Sequence, residues 1–223
     1  MSPLGRTRWE PQGSGKPKAC PSNHGRTFAR PRSVQEPGRL YPVVGQLTGV
    51  PLCANDGDAG TVRTFLLDPA TWAATAVVVQ TGVWPGRRIV AVDVAHLGRF
   101  DWAWTAGALR VDLTCAEVDA APPFEEEGTA GSLRADDVGA CSVAGTDGDV
   151  GRVKDLLIDD VAWAVRFVQV ETRGRTVLVP ATWIERLDRN GWVLRLSVVG
   201  DQVSASPVYD GRTSPGPNMA ATR

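Results

Sequence analysis

Asp147-Gly148-Asp149-Val150-Gly151 decides how this chain is read, because Asp56-Gly57-Asp58-Ala59-Gly60 stands 91 residues before it. The register runs without a gap from 56–81 onto 147–172. Twelve of the 26 pairs are identical: Asp56, Gly57, Asp58, Gly60, Val62, Leu66, Asp68, Trp72, Ala73, Val77, Val79 and Thr81. Ordinary composition would give roughly two identities by chance, so the chain is a tandem duplication. Further on, Val90-Ala91-Val92 answers Val177-Leu178-Val179, and Leu109, Val111 and Leu113 answer Trp192, Leu194 and Leu196. Both copies close on a similar signature, Ala121-Pro122-Pro123-Phe124-Glu125 and Ser206-Pro207-Val208-Tyr209-Asp210.

Each copy reads as β. The Asp-Gly-Asp turns lie between short apolar runs, where glycine supplies the backbone angles a hairpin needs. In Leu109–Leu113 and Trp192–Leu196, large apolar residues alternate with polar or smaller ones, which predicts that Trp192, Leu194 and Leu196 face one interior and Leu109, Val111 and Leu113 the other. Val62–Leu67 and Val153–Ile158 alternate less cleanly, which predicts a bulge or cover on both faces. Thr114-Cys115-Ala116-Glu117 has capping-box spacing and predicts a short helix. A sheet of five or six short strands leaves exposed edges unless it curls shut, so closure into a small barrel is expected in each copy.

The rest of the chain frames this unit. Its 223 residues are 43% hydrophobic and 22% charged with a formal charge of -1, an ordinary globular mix that excludes a surface basic all over. Residues 1–44 differ: they carry eight Lys and Arg against two Glu, and seven of the 16 prolines. No apolar period runs through them, so a disordered basic tail is expected, read as a solvated leader or as the product of a mis-assigned start; the competing reading is a basic arm for RNA, DNA or an acidic partner. The expected organisation is then tail 1–44, barrel 45–127, linker 128–133, barrel 134–210 and a disordered C-terminal tail 211–223. No apolar run approaches the roughly 20 residues of a membrane helix and no secretory signal is evident, so a cytoplasmic protein is expected. The four cysteines are widely scattered, and Cys53, Cys115 and Cys141 are read as reduced core or near-core residues.

The order Gly139, Asp147–Asp159, Phe167–Val170, Val177-Leu178-Val179-Pro180 and Ser206–Tyr209 resembles a PRC-barrel domain, and the first half resembles it through Gly49, Asp56–Asp68, Val77–Val79, Ile89–Val92 and Pro122–Phe124. The resemblance covers about 45–210. It implies an all-β chain of two tandem PRC-like barrels, similar to the cytoplasmic part of the photosynthetic reaction-centre H subunit and to the C-terminal domain of the ribosome maturation factor. These modules are not known as catalysts in their own right. Asp93 stands where the resemblance places the proline matched by Pro180, which puts the geometry of that loop in question.

Chemistry is sparse. His24 lies in the tail and His96 where the second copy has Trp183, so neither a triad nor a zinc site finds convergent partners. The Asp56/Asp58 and Asp147/Asp149 pairs lack the later ligands of a calcium loop and are read as turn formers, with Asp68 and Asp159 capping the turns after the strands they end. Gly148–Gly151 lacks the helix that lets a glycine loop bind phosphate. No catalytic residue, cofactor or metal is therefore expected. Trp84, Trp102 and Trp104 fall in insertions of the first copy and are the candidates for protein contact, against packing between the barrels. The expectation is a non-catalytic interaction or scaffold protein, behaving as a pseudo-dimer of its barrels or as a homo-oligomer. The alternatives are a ribosome- or RNA-associated assembly factor using the basic arm, and a soluble relative of the H subunit.

Overall fold

A computed structural model describes residues 39–82, 86–100, 107–125 and 131–209. The first copy runs β1 (Leu40–Pro42), a π-helical turn (Val43–Leu47), β2 (Pro51–Cys53), β3 (Asp58–Leu67), β4 (Ala74–Thr81), β5 (Arg88–Asp93), β6 (Leu109–Arg110) and α1 (Cys115–Asp119). The second runs β7 (Leu133–Arg134), α2 (Ala135–Val138), β8 (Ser142–Gly145), β9 (Gly148–Asp159), β10 (Val165–Thr172), β11 (Arg175–Pro180), β12 (Ile184–Asp188), β13 (Val193–Leu196) and α3 (Gly200–Ser204). The chain is all-β in two sheets of the same design, ordered β5-β4-β3-β2-β6 and β11-β10-β9-β8-β13-β12. In each, one parallel pair, β2 with β6 and β8 with β13, interrupts otherwise antiparallel neighbours.

The long strands are bulged as their broken alternation predicts, with register shifts between Val62 and Thr64 in β3 and between Val153 and Asp155 in β9. Leu157 belongs to a small cluster with Leu40, Phe167 and Leu178, apart from the main core, so β9 is covered on both faces. Asp93 and Pro180 hold nearly the same backbone angles, φ -60 and -59, and each leads into a three-residue 3-10 turn. The Asp93 carboxylate accepts from the Ala95 amide at 2.7 Å, a cap that restores the geometry proline supplies in the second copy.

The hydrogen-bonded ladder closes in neither copy, which corrects the expected closed barrels. In the second, the path ends at β11 and β12, and these are joined only through the 3-10 turn Ala181–Trp183. In the first, a single bridge, Leu97 to Val111, stands where the second has the β12–β13 pair. The outer edges are instead covered by the closing signatures. Ala91 donates to Pro122 and Phe124 to Ile89, just as Leu178 donates to Pro207 and Tyr209 to Thr176, all at 2.9 Å. A short covering segment blunts an edge strand without a seam.

The expected tail boundary at Gly45 is also corrected, because residues 39–44 are ordered and belong to the other half. β1 pairs with β9 through Leu40–Asp159, Tyr41–Ile158 and Pro42–Leu157. Reciprocally, β7, which leads the second copy, pairs with β3 through Leu66–Arg134 and Leu67–Leu133. Each copy thus lends its leading strand to its neighbour, and one core cluster runs through both, holding Leu52, Phe65 and Leu109 beside Leu156, Leu194 and Val203. The rest of the expected N-terminal tail, the end of the expected first barrel (126–127), part of the linker (128–130) and the C-terminal tail lie outside the described residues.

Leu109, Val111, Leu194 and Leu196 are buried as predicted, and Leu113 is half-buried. Trp192 is not: it is 44% exposed, because it precedes β13 in a left-handed turn (φ 50) that swings its side chain out of the strand's alternation. Leu194→Ala is expected to destabilise the fold by about 2–5 kcal/mol, the usual range for a core leucine. An unchanged denaturation midpoint would remove Leu194 from the core.

Candidate functional site

The repeated signature builds paired turns. Asp56 accepts from the amide of Cys115 at 2.6 Å and Asp147 from that of Gly200 at 2.8 Å, so the same carboxylate caps α1 in one copy and α3 in the other. Asp58 accepts from the Gly60 amide at 3.0 Å; no counterpart bond defines Asp149. Asp68 accepts from Ala70 and Thr71, and Asp159 from Val161 and Ala162, each capping the turn that follows its strand. Gly60 and Gly151 stand where a Cβ would lie 2.2 and 2.1 Å from the carbonyl oxygens of Gln80 and Glu171, so only glycine lets the strands meet. Gly57 and Gly148 sit at φ 159 and 136, in open or nearly open space.

These turns present Trp72 and Trp163, both buried and both left-handed at φ 58 and 50. They meet at the junction of the copies. The Ala74 amide donates to the Trp163 carbonyl at 2.7 Å and the Val165 amide to the Trp72 carbonyl at 2.9 Å, a reciprocal exchange with local two-fold character. Phe65 stacks on Trp163 with centroids 5.7 Å apart and planes 15° from parallel.

A second junction pairs Asp155 of β9 with the π turn of the first copy. Its carboxylate accepts from the amides of Val44 (2.9 Å) and Gly45 (2.8 Å). Burial pushes its pKa up, opposed by these amide bonds and by that of Leu156. The counterpart of Asp155 is Thr64, whose hydroxyl donates at 2.6 Å to Asp136 in the first turn of α2. Strand and helix have therefore exchanged roles: one contact has a strand carboxylate and helix amides, the other a strand hydroxyl and a helix carboxylate. The π turn closes from Thr48 to Val43 where α2 closes from Gly139 to Ala135, which absorbs one extra residue in the first copy. Inspection of the repeat missed this junction, and its only trace in the sequence is that one-residue slip.

Asp159 is held below the usual carboxylate range: burial raises its pKa, but the amides of Ala162 and Val161 and the Arg166 guanidinium, with Nε at 3.0 Å and a terminal nitrogen at 2.9 Å, outweigh it. A depressed native pKa gives stability that is present above the unfolded value of about 3.9 and is lost as pH falls through the native value. Asp159→Asn keeps the Oδ1 that accepts both amides, so it is expected to leave the turn intact while shrinking the acid-induced fall in Tm below pH 4. Identical Tm profiles for parent and variant from pH 2 to 7 would show that the ion pair carries no pH dependence.

The remaining chemistry is muted. His96 lines an open hollow of about 440 Å³ with Ala76, Ala91, Asp93 and Glu117. The second copy has Phe167, Leu178 and Trp183 at the positions of Ala76, Ala91 and His96. Glu117 is already engaged with Thr114 in the predicted capping box. Cys115 and Cys141 are free thiols pushed up to about 11, in both cases chiefly by burial, which leaves little thiolate at neutral pH. Cys53 is disulfide-bonded, which corrects the reading of all three as reduced. No group of three or more His, Cys, Asp and Glu side chains able to hold a metal occurs among the described residues. No helix among them is long and apolar enough to cross a membrane.

Trp84, Trp102 and Trp104, and likewise His24, lie outside the described residues. The root of the Trp102/Trp104 insertion is described and turns toward the second half. Arg99 stands 3.5 Å from the Asp160 carboxylate, and Phe100 packs on Tyr41 with centroids 5.0 Å apart. No family model and no curated protein matches the chain.

Proposed function

We propose that the chain is a cytoplasmic, non-catalytic interaction or scaffold module built from two PRC-like copies. What supports this most is the use made of the repeated carboxylates. Asp56, Asp58, Asp68, Asp147 and Asp159 each accept from backbone amides of turns or helix starts, so the residues that recur in both copies serve the frame rather than a reacting centre. The shared core and the reciprocal backbone bonds give that frame the rigidity on which a contact surface can be carried.

The test is affinity purification from the native host with the full chain and with a chain beginning at Arg39, at low and high salt. A start at Gly45 is unsuitable because it removes β1. The reading expects a protein partner recovered in fixed ratio by both chains and retained at high salt. Recovery only of ribosomes or RNA, lost at high salt and absent without the arm, would replace it with the assembly-factor reading. Turnover of a substrate by the purified chain would also overturn it.

A further inference from the structure

The hollow beside β5 exists because the first copy is trimmed there. Ala76 pairs with Asp93 and Ala91 with Val78, just as Phe167 pairs with Pro180 and Leu178 with Gln169, so the two ladders equate Ala76 with Phe167 and Ala91 with Leu178. His96 and Trp183 each end the three-residue 3-10 turn that follows. In the second copy, Phe167 and Leu178 are buried in a small cluster with Leu40 and Leu157, and Trp183 packs against the main core. With two alanines and a histidine at these positions, the first copy is left with about 440 Å³ of open space, a volume in the range of ligand pockets.

The lining sets what fits. Ala91, Val92, Leu113, Ala121 and Pro122 make it largely apolar, while Asp93 and Glu117 bring it two carboxylates. Asp93 caps the 3-10 turn through the Ala95 amide and Glu117 closes the capping box of α1, and neither is in an ion pair among the described residues. The Thr114 amide and hydroxyl hold Glu117 below the usual carboxylate range, so it is ionised at neutral pH. The second copy has Pro180 and Gln202 at these two positions, so the charge, like the space, belongs to the first copy alone. The backbone of β5 is already engaged, since Ala91 donates to Pro122 and Ile89 accepts from Phe124. An occupant therefore enters by its side chains and not by adding a strand. Ile89, two residues from Ala91 on the same face of β5, is 44% exposed, apolar surface that a free small molecule in the hollow would leave bare and a polypeptide would cover.

We propose that this hollow is the docking site for an aromatic side chain of a partner protein flanked by lysine or arginine: the ring stands in for those of Phe167 and Trp183, and the cations meet Asp93 and Glu117. This rests on the reading of the chain as an interaction module and names the kind of partner it holds. Burial of the ring against alanine and valine supplies affinity, and the two carboxylates select its basic neighbours.

The probe is an end-blocked tripeptide, Lys-Trp-Lys, titrated into the full chain at low salt and followed by the amide NMR shifts of Ala91, Val92 and Glu117. Saturable shifts at these amides are expected, with Glu-Trp-Glu and Lys-Ala-Lys binding about ten-fold more weakly. Ala76→Phe combined with Ala91→Leu gives the first copy the filling of the second and should weaken Lys-Trp-Lys by about ten-fold. Glu117→Gln, the residue the second copy carries at the same capping position, leaves the space open and should weaken it by about three-fold; it decides the matter should the filled chain not fold. No shift at these amides, equal binding of the three peptides, or parent-like binding by either folded variant would overturn the proposal. Tryptamine binding as tightly as the peptide would replace the partner protein with a free aromatic amine. A natural partner retained by the filled chain in affinity purification would overturn the hollow and leave the scaffold reading standing, whereas peptide binding with no partner recovered would count against the scaffold reading alone.

Discussion

Trp163→Ala is expected to lower the unfolding free energy by about 3–5 kcal/mol, with both halves lost in one transition. Trp163 is 4% exposed, stacks on Phe65 of the other copy, and offers its carbonyl to Ala74 across the junction. Its φ of 50 is an outlier for so bulky a residue, a conformation that costs about 1–2 kcal/mol and persists because the indole is buried. The amide that would otherwise be stranded by the turn donates to the Asp159 carbonyl at 2.8 Å. Trp163→Gly loses the same indole but relieves the left-handed backbone, so it should be about 1 kcal/mol less destabilising than Trp163→Ala. Urea denaturation followed by far-ultraviolet circular dichroism checks both. Equal losses in the two variants would mean that the backbone is not strained, and a loss below 1 kcal/mol would mean that the junction is not where the copies are held.

Gly151→Ala is expected to be at least as damaging, destabilising by about 3 kcal/mol or more, since the added methyl meets a backbone oxygen rather than a movable side chain. The oxygen is that of Glu171, 2.1 Å from the Cβ position. β10 cannot withdraw, because its far side is bonded to β11 from Phe167 to Thr172. Gly148 is the control for backbone angle without a clash: it lies three residues earlier at φ 136 with nothing within 4 Å, so Gly148→Ala should cost only the strain of that angle, about 1–3 kcal/mol, and less than Gly151→Ala. Gly60→Ala should behave like Gly151→Ala, its methyl falling 2.2 Å from the Gln80 oxygen. Equal midpoints for the variants at 148 and 151 would show that the strands give way freely at the bulge.

The duplication was legible because its residues have few substitutes. Gly60 and Gly151 answer to a steric limit, and Asp68 and Asp159 to a turn that needs a short acceptor, so both copies kept them. The alternation at Leu109–Leu113 and Leu194–Leu196 read correctly for the same kind of reason: one face must be dry. Trp192 misled because parity along a strand says nothing of a residue whose backbone has left the pleat. The exchange of leading strands was invisible because β1 and β7 are three and two residues long and are held by backbone bonds that any sequence can make. Closure failed as an inference because exposed edges have more than one remedy, and here Pro122–Phe124 and Pro207–Tyr209 supply another.

The loan of β1 to β9 sets a timetable for synthesis. The Arg39 amide and the Asp160 carboxylate that receives it are 121 residues apart in the chain. On the ribosome, β1 emerges long before its partner strand has been made, and a nascent first copy has neither the Trp163 carbonyl for its Ala74 amide nor the β7 strand for the end of β3. Contacts so distant in sequence slow folding and leave strand edges open in the meantime. The polypeptide therefore completes its fold late, after most of it has left the exit tunnel, and until then depends on chaperones or on speed to keep a half-built sheet from pairing with a neighbour.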